Sequence, residues 1–355
     1  MSEVTIKAVS AERGLVDLTE VFSRGSLKSD IGQVADSFDC EFGYNSANPE
    51  FPTIPLDLGD TILVSDTETG EELFKGVIIE EERAGETVKR FTAFDPAWYL
   101  TKSKIVIQFG GPVVGISADQ CIRKVVEQYG LPISYIRPMS TPIKEIYINK
   151  TGVEIIEAIL AIVEEKSGGV YHYEMRKAGF HLDQREILPI EMKFYLSAND
   201  RESLALSIDD VVETVTRRRS IAETKNSVKV FFHYSTALSH WGDTFEAKDS
   251  VSIAKYGTLS EVIEEKAEKG VTIRLENKAA AVAAAQRMLA KMNRVFEDVS
   301  FECLGNSLAR AGKSFPITEP VSGIDGLFLI RSCEHIFEGG VHKMRLSLGV
   351  DGDVR

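Results

Sequence analysis

The sequence predicts an α+β protein in which a region containing helices separates two regions rich in strands. Three observations lead to this prediction: alternating strand patterns without a helical period up to residue 108, two amphipathic helical patterns within 109–204, and a return of strand patterns from 205 to 352. These three ranges are the predicted domains. A polar segment at 239–277 is predicted to be a less regular insertion in the last domain.

A β-meander is predicted between Thr61 and Phe94 in the first domain. "TILVS" alternates apolar and polar residues, and the turns "DTETG" and "RAGE" separate it from the runs "LFKGVII" and "VKRFTAF". Pro49, Pro52 and Pro55 disfavour helix just upstream. The first hundred residues are therefore predicted to form a small all-β domain.

Two capped helices and a hairpin are predicted in the middle domain. Ser117 and Gln120 in "ISADQCIRKVVEQYGLP", like Thr151 and Glu154 in "TGVEIIEAILAIVEEKSGG", have the spacing of a capping box. In both stretches the apolar residues that follow recur with helical spacing, and a glycine ends the pattern. "VYHYEM" and "FHLDQ" are predicted to be the two arms of the hairpin.

The last domain is predicted to contain strands on both sides of one long helix. "LSIDDVVETVTRRRSI" and "NSVKVFFHY" have strand character, and "NKAAAVAAAQRMLAKMNRV" has the alanine content of a strong helix former. Three strands follow, in "FEDVSFECLG", "SGIDGLFLIRSCEHIF" and "VHKMRLSLGV", the last two joined by a tight turn at "EGG".

Composition limits the partners that the chain can have. Against 41 Lys and Arg stand 54 Asp and Glu, which gives a net charge of −13 and disfavours general binding to phosphate backbones or anionic lipids. No signal peptide or membrane-spanning run is visible, so assembly in the cytoplasm without membrane insertion is expected. The four cysteines have no metal or disulfide spacing and are expected to be small buried residues.

The three consecutive arginines Arg217, Arg218 and Arg219 are the most conspicuous local feature. In an extended segment Arg217 and Arg219 point to one face and Arg218 to the other, which makes a poor nucleic-acid patch. No second basic cluster or interleaved aromatic residue accompanies them. We therefore predict an ion-pair or interface role and no sequence-specific nucleic-acid binding.

No motif in the sequence indicates catalysis, a metal site or a cofactor. His172 and His181 fall on the two arms of the predicted hairpin, and Cys333 and His335 share one face of a strand, but neither pair completes a ligand set. Half-buried strand histidines with hydrogen-bond partners are the preferred interpretation. Signatures of hydrolases and phosphate-binding loops are absent from the sequence.

Several stretches in order resemble one family of phage proteins. "PLDLGDTILVSD", "EELFKGVIIEEE" and "VKRFTAFDPAWYLTKSK" resemble the first domain of baseplate hub proteins of contractile phage tails and tailocins, of the XkdQ/YqbQ type. The two middle-domain stretches quoted above are similar to that family's middle domain. "AAAQRMLAKMNRVFEDVSFECLGNSLARAGKSFPI" and "GIDGLFLIRSCEHIFEGGVHKMRLSLG" resemble its closing segment, which late-control-protein-D and VgrG-type hubs share.

The resemblance implies two tube-type antiparallel β-barrel domains, at 1–108 and 205–352, flanking the α+β middle domain. It further implies a homotrimer in a virion or tailocin baseplate that adapts a sixfold tail tube to a threefold central spike. LysM-containing, wedge and tape measure proteins are the other implied partners, and no catalytic residue is implied. Two related barrels per chain would be rotated by roughly 60° about the ring axis, with more acidic than basic residues facing inward.

Two alternatives from other functional classes remain open at this level. The middle domain offers room for a tail-associated enzyme that degrades peptidoglycan, although no nucleophile or metal constellation supports one. A cell-wall-binding module would need exposed aromatic residues on a strand face. Trp98 and Trp241 are the only tryptophans, and Trp98, in the apolar run "DPAWYL", is expected in the core.

Overall fold

Strands make up most of the regular structure among the described residues, and helices a smaller part. The chain divides into two compact units, one formed by residues 1–216 with 300–348 and the other by 217–299 with 349–355. The predicted mixture of strands and helices is present, while the three domain boundaries and the two barrels stay predictions. The computed structural model describes residues 4–10, 14–45, 48, 50–52, 54–67, 69–85, 87–111, 114–167, 169, 171–177, 179–184, 192–193, 215–236, 239–264, 278–319 and 323–350.

Seven strands form the N-terminal part of the first unit. The meander predicted between Thr61 and Phe94 is confirmed, because its three strands pair antiparallel in sequence order. The seven strands are β1 (Val4–Ser10), β2 (Gly14–Asp17), β3 (Phe22–Asp30), β4 (Ser37–Gly43), β5 (Thr61–Asp66), β6 (Glu72–Ala84) and β7 (Val88–Phe94).

In the described part of the chain, three helices and eight short strands follow in the same unit. The two predicted helices and the predicted hairpin, β13 with β14, are confirmed. The elements are α1 (Trp98–Lys102), β8 (Lys104–Gln108), β9 (Ile116–Ser117), α2 (Ala118–Gln128), β10 (Ile133–Ile136), β11 (Pro142–Ile143), β12 (Ile146–Thr151), α3 (Gly152–Ser167), β13 (Tyr171–Arg176), β14 (Gly179–Gln184) and β15 (Met192–Lys193).

Only one of the two predicted capping boxes forms. Before α3, the Thr151 amide donates to the Glu154 carboxylate (2.8 Å) and the Glu154 amide donates to the Thr151 hydroxyl (3.2 Å). The box predicted at Ser117 is wrong, because the Ser117 side chain makes no capping hydrogen bond. Ser117 belongs to the short strand β9, which pairs with β11, and the amide of Ala118 donates to the Thr141 carbonyl instead.

The second unit contains a small sheet packed on a helix. β17 pairs antiparallel with β18 and parallel with β19, and apolar side chains of β17 pack against alanines of α5. The prediction of a less regular segment from residue 239 is wrong up to residue 264, and residues 265–277 lie outside the described part. The elements are β16 (Thr216–Ser220), β17 (Ser227–Thr236), β18 (Ser239–Lys248), α4 (Ser250–Tyr256), β19 (Ser260–Glu264) and α5 (Lys278–Met292).

Four strands close the chain and return to the first unit. The three strands predicted after the long helix are confirmed, and the sequence interpretation missed one further strand, β21. The predicted strand segment at 204–214 lies outside the described residues. The closing strands are β20 (Phe296–Leu304), β21 (Ser314–Glu319), β22 (Ile324–Glu338) and β23 (Val341–Val350).

The closing strands continue the N-terminal sheet. β22 pairs antiparallel with β3, with Glu334 opposite Lys28 and His335 opposite Leu27. The strands follow the order β20-β23-β22-β3-β4-β7-β6-β5-β1-β2. In this order the C-terminal strands and the N-terminal strands form two separate groups that meet once, where β22 pairs with β3. A separate apolar core lies between α2, α3 and the short strands of the middle region.

Candidate functional site: a charged sheet face and an arginine clamp

The sheet of the first unit has one buried face and one charged face. In β4 the side chains of Phe38, Cys40 and Phe42 are buried, whereas those of Asp39 and Glu41 point to the opposite side. This follows from the twofold alternation of side chains along a strand. The pairing register keeps the same alternation from β22 through β3, β4 and β7 to β6, so the two faces run across the join between N-terminal and C-terminal strands.

On the N-terminal half of this face, oppositely charged side chains pair across strands. Arg90 on β7 donates to Glu41 on β4 (Nε to Oε2, 3.0 Å) and to Glu82 on β6 (Nη1 to Oε2, 3.4 Å). Lys28 on β3 donates to Asp39 on β4 (Nζ to Oδ2, 2.8 Å). Cross-strand ion pairs of this kind fix side-chain direction and add a little stability each.

The pairing continues without a break onto the C-terminal strands. Glu334 on β22 accepts from the Ser26 hydroxyl (2.6 Å) and lies 3.9 Å from Lys28 Nζ. Arg345 on β23 then joins Glu334 (3.0 Å) to Glu302 on β20 (3.0 Å). We call this set of pairs, from Glu82 on β6 to Glu302 on β20, the charge ladder.

Acidic side chains exceed basic ones on the charged face. By strand alternation and by these contacts, eight carboxylates and six cations of the described part of the first unit lie on it between β6 and β20, an excess of two negative charges. A surface of this kind repels phosphate while the paired side chains stay in fixed positions. The carboxylates are Asp30, Asp39, Glu41, Glu80, Glu82, Glu302, Glu334 and Glu338, and the cations are Arg24, Lys28, Lys75, Arg90, Lys343 and Arg345.

A second feature, which we call the arginine clamp, ties distant segments of the first unit together. Arg310, in the loop between β20 and β21, donates through Nη1 to Asp36 Oδ2 (3.0 Å) and through Nη2 to the carbonyl of Leu73. The Asp36 amide donates to Asp95 Oδ2 (3.0 Å), and the Asp95 amide donates to the backbone carbonyl of Asp36 (3.0 Å). One guanidinium thus connects the β3–β4 turn, the start of β6 and the closing segment.

Burial sets the electrostatics of the clamp. Loss of solvation raises the pKa of Asp36 to about 6, although Arg310 acts in the opposite direction. Burial, with the nearby charge of Asp36, raises the pKa of Asp95 well above its ordinary value. The side chains of Arg310 and Asp36 are each 20% exposed, so water only partly relieves this cost.

The loop that carries Arg310 is held on both sides. The His335 ring nitrogen Nε2 lies 2.8 Å from the Ala309 carbonyl, and the Ala311 amide donates to Ser29 Oγ (3.0 Å). Because a carbonyl only accepts, His335 Nε2 is the donor, and its Nδ1 therefore accepts from His342 Nε2 (3.0 Å). Burial lowers the pKa of His335 to about 3 and that of His342 to about 4, so both rings are neutral near pH 7.

The arginine triplet lies in the second unit, where Arg217 and Arg219 face the same carboxylate. Arg217 makes a two-point contact with Glu297, at 2.5 Å from Nε to Oε1 and 3.0 Å from Nη2 to Oε2. Arg219 Nε lies 3.8 Å from the same carboxylate. The geometry agrees with the alternation on which the prediction for Arg217, Arg218 and Arg219 rests, while an interface role for them stays a prediction.

The remaining sequence candidates do not assemble into a site. In the hairpin, His172 is opposite Asp183 and His181 is opposite Glu174. Cys333 and His335 share a buried face, with Sγ 3.3 Å from Nε2. Within the described residues no group of three or more His, Cys, Asp and Glu is placed to hold a metal ion, and no helix there is long and apolar enough to cross a membrane.

Sequence interpretation found the triplet but missed the clamp and the ladder. Trp98 packs against the middle core, as expected from "DPAWYL". Arg310 lies in "LARAGK", between two alanines. An arginine flanked by small apolar residues is the one feature of the sequence that could have predicted a buried cation here. The ladder residues look like ordinary polar positions of amphipathic strands, and only the pairing of β3 with β22 shows that they form one face.

Solved structures of prophage tail proteins are similar to this fold over nearly the whole chain. A 43 kDa tail protein of prophage MuSo2 from Shewanella oneidensis has a TM-score of 0.66 and 13% identity over 99% of this chain and 98% of its own. A tail protein from Neisseria meningitidis MC58 has a TM-score of 0.65 and 14% identity over 98% and 97%. The Escherichia coli c3393 protein, a type VI secretion component described as similar to T4 tail proteins gp27 and gp5, has a TM-score of 0.50 and 10% identity over 92% and 73%.

The chain belongs to the YQBQ-like family, which matches residues 26–349. This match confirms the family predicted from the sequence. Among curated proteins, none matches the sequence.

Proposed function

We propose that the chain is a structural hub of a contractile phage-tail or tailocin baseplate, in which three copies form a ring. The observation that carries the proposal is the continuous sheet of the first unit, to which both ends of the chain contribute. A sheet with one face in the core and a charged opposite face is suited to form a wall beside a water-filled channel. Membership of the YQBQ-like family and the shared fold with prophage tail proteins support this role.

The charged face is proposed to line the channel of the ring. Its excess of carboxylates disfavours phosphate, so DNA or another acidic cargo would pass without being held. Arg24, Lys28, Arg90, Lys343 and Arg345 each lie within 4 Å of a carboxylate, as Arg345 does of Glu334 and Glu302. The face would thus present few uncompensated positive charges to the cargo.

The ring is proposed to join a sixfold tail tube to a threefold central spike. Two tube-type barrels per chain, related by roughly 60° about the ring axis, would give six similar surfaces from three chains. The tail tube protein and the spike are then the axial partners. LysM-containing, wedge and tape measure proteins are proposed as further neighbours in a particle assembled in the host cytoplasm.

The function is proposed to be mechanical, without catalysis or a cofactor. Burial raises the pKa of the Cys40 and Cys333 thiols, and that of Cys121 to about 11, so these three are poor nucleophiles at neutral pH. The fold is shared with proteins described as tail components. Among the described residues, no arrangement of side chains favours the peptidoglycan-degrading or cell-wall-binding alternatives.

Deleting the encoding gene from a strain that produces the particles tests the proposal. We expect electron micrographs without complete tails, and recovery of complete tails when the wild-type gene is supplied in trans. Complete particles with normal baseplates in the deletion strain would contradict a hub role. Purified chain is expected to leave peptidoglycan intact in a zymogram.

A further inference from the structure

The first unit exposes an apolar surface on a two-stranded ribbon. β8 and β12 pair antiparallel, with Val106 opposite Ile148 and Gln108 opposite Ile146. On the inner side of the ribbon, Ile105 and Ile107 pack against the middle core together with Tyr147. The ribbon is therefore firmly attached to the unit by one face only.

The outer face of this ribbon carries three large aliphatic side chains in solvent. Val106 is 65% exposed, Ile146 58% and Ile148 66%. Val106 and Ile148 are direct cross-strand partners, and Ile146 is two positions along the same strand, so the three are contiguous. Contiguous apolar side chains on a soluble surface mark a contact site, because their burial against a partner is favourable.

Lysines flank the ribbon at both of its ends. Lys102, Lys104 and Lys150 lie at one end of the ribbon and Lys144 at the other, all of them exposed. Glu154 pairs with Lys150 at 2.9 Å and Glu145 adjoins Lys144, so the rim retains a net positive charge. This is a basic surface on a chain whose net charge is −13.

We propose that the outer face of the β8–β12 ribbon docks on an acidic surface of a second copy of this chain. The lysine rim is complementary to the acidic character of another copy. A symmetric ribbon-to-ribbon contact would instead bring two positive rims together, which disfavours a twofold dimer. A contact between two different surfaces is heterologous, and a heterologous contact whose rotation closes forms a ring. The inference rests on the proposed ring and names one of its contact surfaces.

Paired variants test the apolar part of the surface. Val106→Glu with Ile148→Glu is expected to weaken self-association at least about a hundredfold in sedimentation equilibrium, because two buried aliphatic contacts become charges. The matched control is Val9→Glu with Leu15→Glu, another exposed cross-strand pair, 44% and 64% exposed, on the β1–β2 hairpin. The control is expected to associate like the wild type, and both variants to unfold at the wild-type temperature.

Cross-linking tests the charged part of the surface and identifies the opposite one. Carbodiimide treatment of mixed ¹⁴N- and ¹⁵N-labelled chains is expected to join Lys104 or Lys150 to an Asp or Glu of a chain with the other label. The yield is expected to fall severalfold when salt is raised to 1 M, since salt screens the attraction. Lys104→Glu is expected to reduce association, and Lys104→Arg to retain it.

Three results would overturn the inference. They are a wild-type chain that stays monomeric at the highest concentration reached, ribbon variants that associate like the control, and ribbon lysines that cross-link only to a different baseplate protein. A ring of copies in the particle, with ribbon variants still assembled normally, would refute the ribbon contact and leave the hub role standing. Absence of the chain from the particle would refute the hub role itself.

Discussion

The arginine clamp and the charge ladder both contain arginine–carboxylate pairs, but the pair in the clamp is more deeply buried than those of the ladder. In the clamp, Arg310 and Asp36 are each 20% exposed and join segments 274 positions apart. In the ladder, Arg345 is 54% exposed and only connects neighbouring strands of one sheet. Both are arginine–carboxylate pairs at 3.0 Å, so distance alone does not distinguish them.

The difference teaches that burial decides what an ion pair does for the fold. Removing one partner of a desolvated pair leaves a charge that neither water nor a neighbour compensates, whereas water replaces the lost partner at an exposed pair. The clamp is therefore expected to hold the fold together. The ladder is expected mainly to set the surface charge and the side-chain directions of the proposed channel wall.

Replacing the clamp arginine is the largest expected effect. Arg310→Met removes the cation beside Asp36 and the donor to the Leu73 carbonyl, and we expect a loss of about 3–5 kcal/mol in the free energy of unfolding. Urea denaturation followed by circular dichroism measures it. Arg345→Met is the matched control, and equal losses for the two variants would show that burial does not separate the two sites.

Acid titration gives the next largest expected effect, and its sign follows from the raised pKa of Asp36. Folding raises the pKa of Asp36 from 3.8 to about 6, so the folded state binds this proton more tightly than the unfolded state does. The contribution of Asp36 to stability is thus fully present below pH 3.8 and is lost as pH rises through 6, by up to about 3 kcal/mol.

The difference between wild type and Asp36→Asn isolates this contribution from that of other carboxylates. Urea denaturation at several pH values should show the variant gaining stability relative to wild type as pH rises from about 4 to 6. Asp95, whose pKa is also raised, acts in the same direction. Parallel stability curves across that range would contradict a raised pKa for Asp36.

The capping box before α3 is an exposed hydrogen-bonded site, and its loss is expected to cost less stability than the loss of the clamp and more than the loss of one ladder pair. Thr151→Ala removes an acceptor for the Glu154 amide and is expected to cost about 1 kcal/mol in the free energy of unfolding. Ser117→Ala, at the position whose side chain makes no capping hydrogen bond, is expected to change stability by less than half of that. Thermal denaturation of both variants compares them, and a larger loss at Ser117 would reverse the assignment of the two caps.

The smallest expected effect is a coupling within the ladder. A double-mutant cycle with Arg345→Met and Glu334→Gln is expected to give about 0.2–1 kcal/mol at low salt and less at 1 M salt. Chemical denaturation of the four proteins measures the coupling. A coupling above about 3 kcal/mol would place the ladder in the same class as the clamp.

Local patterns predicted most of the elements, and long-range pairing accounts for what they missed. The meander of Thr61 to Phe94 and the helix after Thr151 follow from alternation, turn residues and capping spacing. Glu334 lies opposite Lys28, but no local sequence pattern predicts this pairing, because the register between distant strands depends on the whole sheet. The segment after residue 239 has polar strands with weak apolar alternation, so it was predicted to be less regular than it is.

The candidate site likewise has one part that local patterns predict and one part that depends on long-range pairing. Alternation along one strand was enough to place Arg217 and Arg219 on one face, where both approach Glu297. Arg310 meets Asp36 only because the closing strands join the N-terminal sheet, and sequence spacing carries no record of that contact. The pairing between strands from the two ends of the chain is therefore the part of the site that could not be predicted from the sequence alone.

Electron cryomicroscopy of the assembled particle tests the central claim most directly. The hub proposal predicts three copies of this chain in a ring between the tail tube and the spike. It also predicts that Lys28, Glu334 and Arg345 of the charged face point into the channel. A particle in which the chain is absent from the baseplate, or in which this face packs outward against other proteins, would contradict the account.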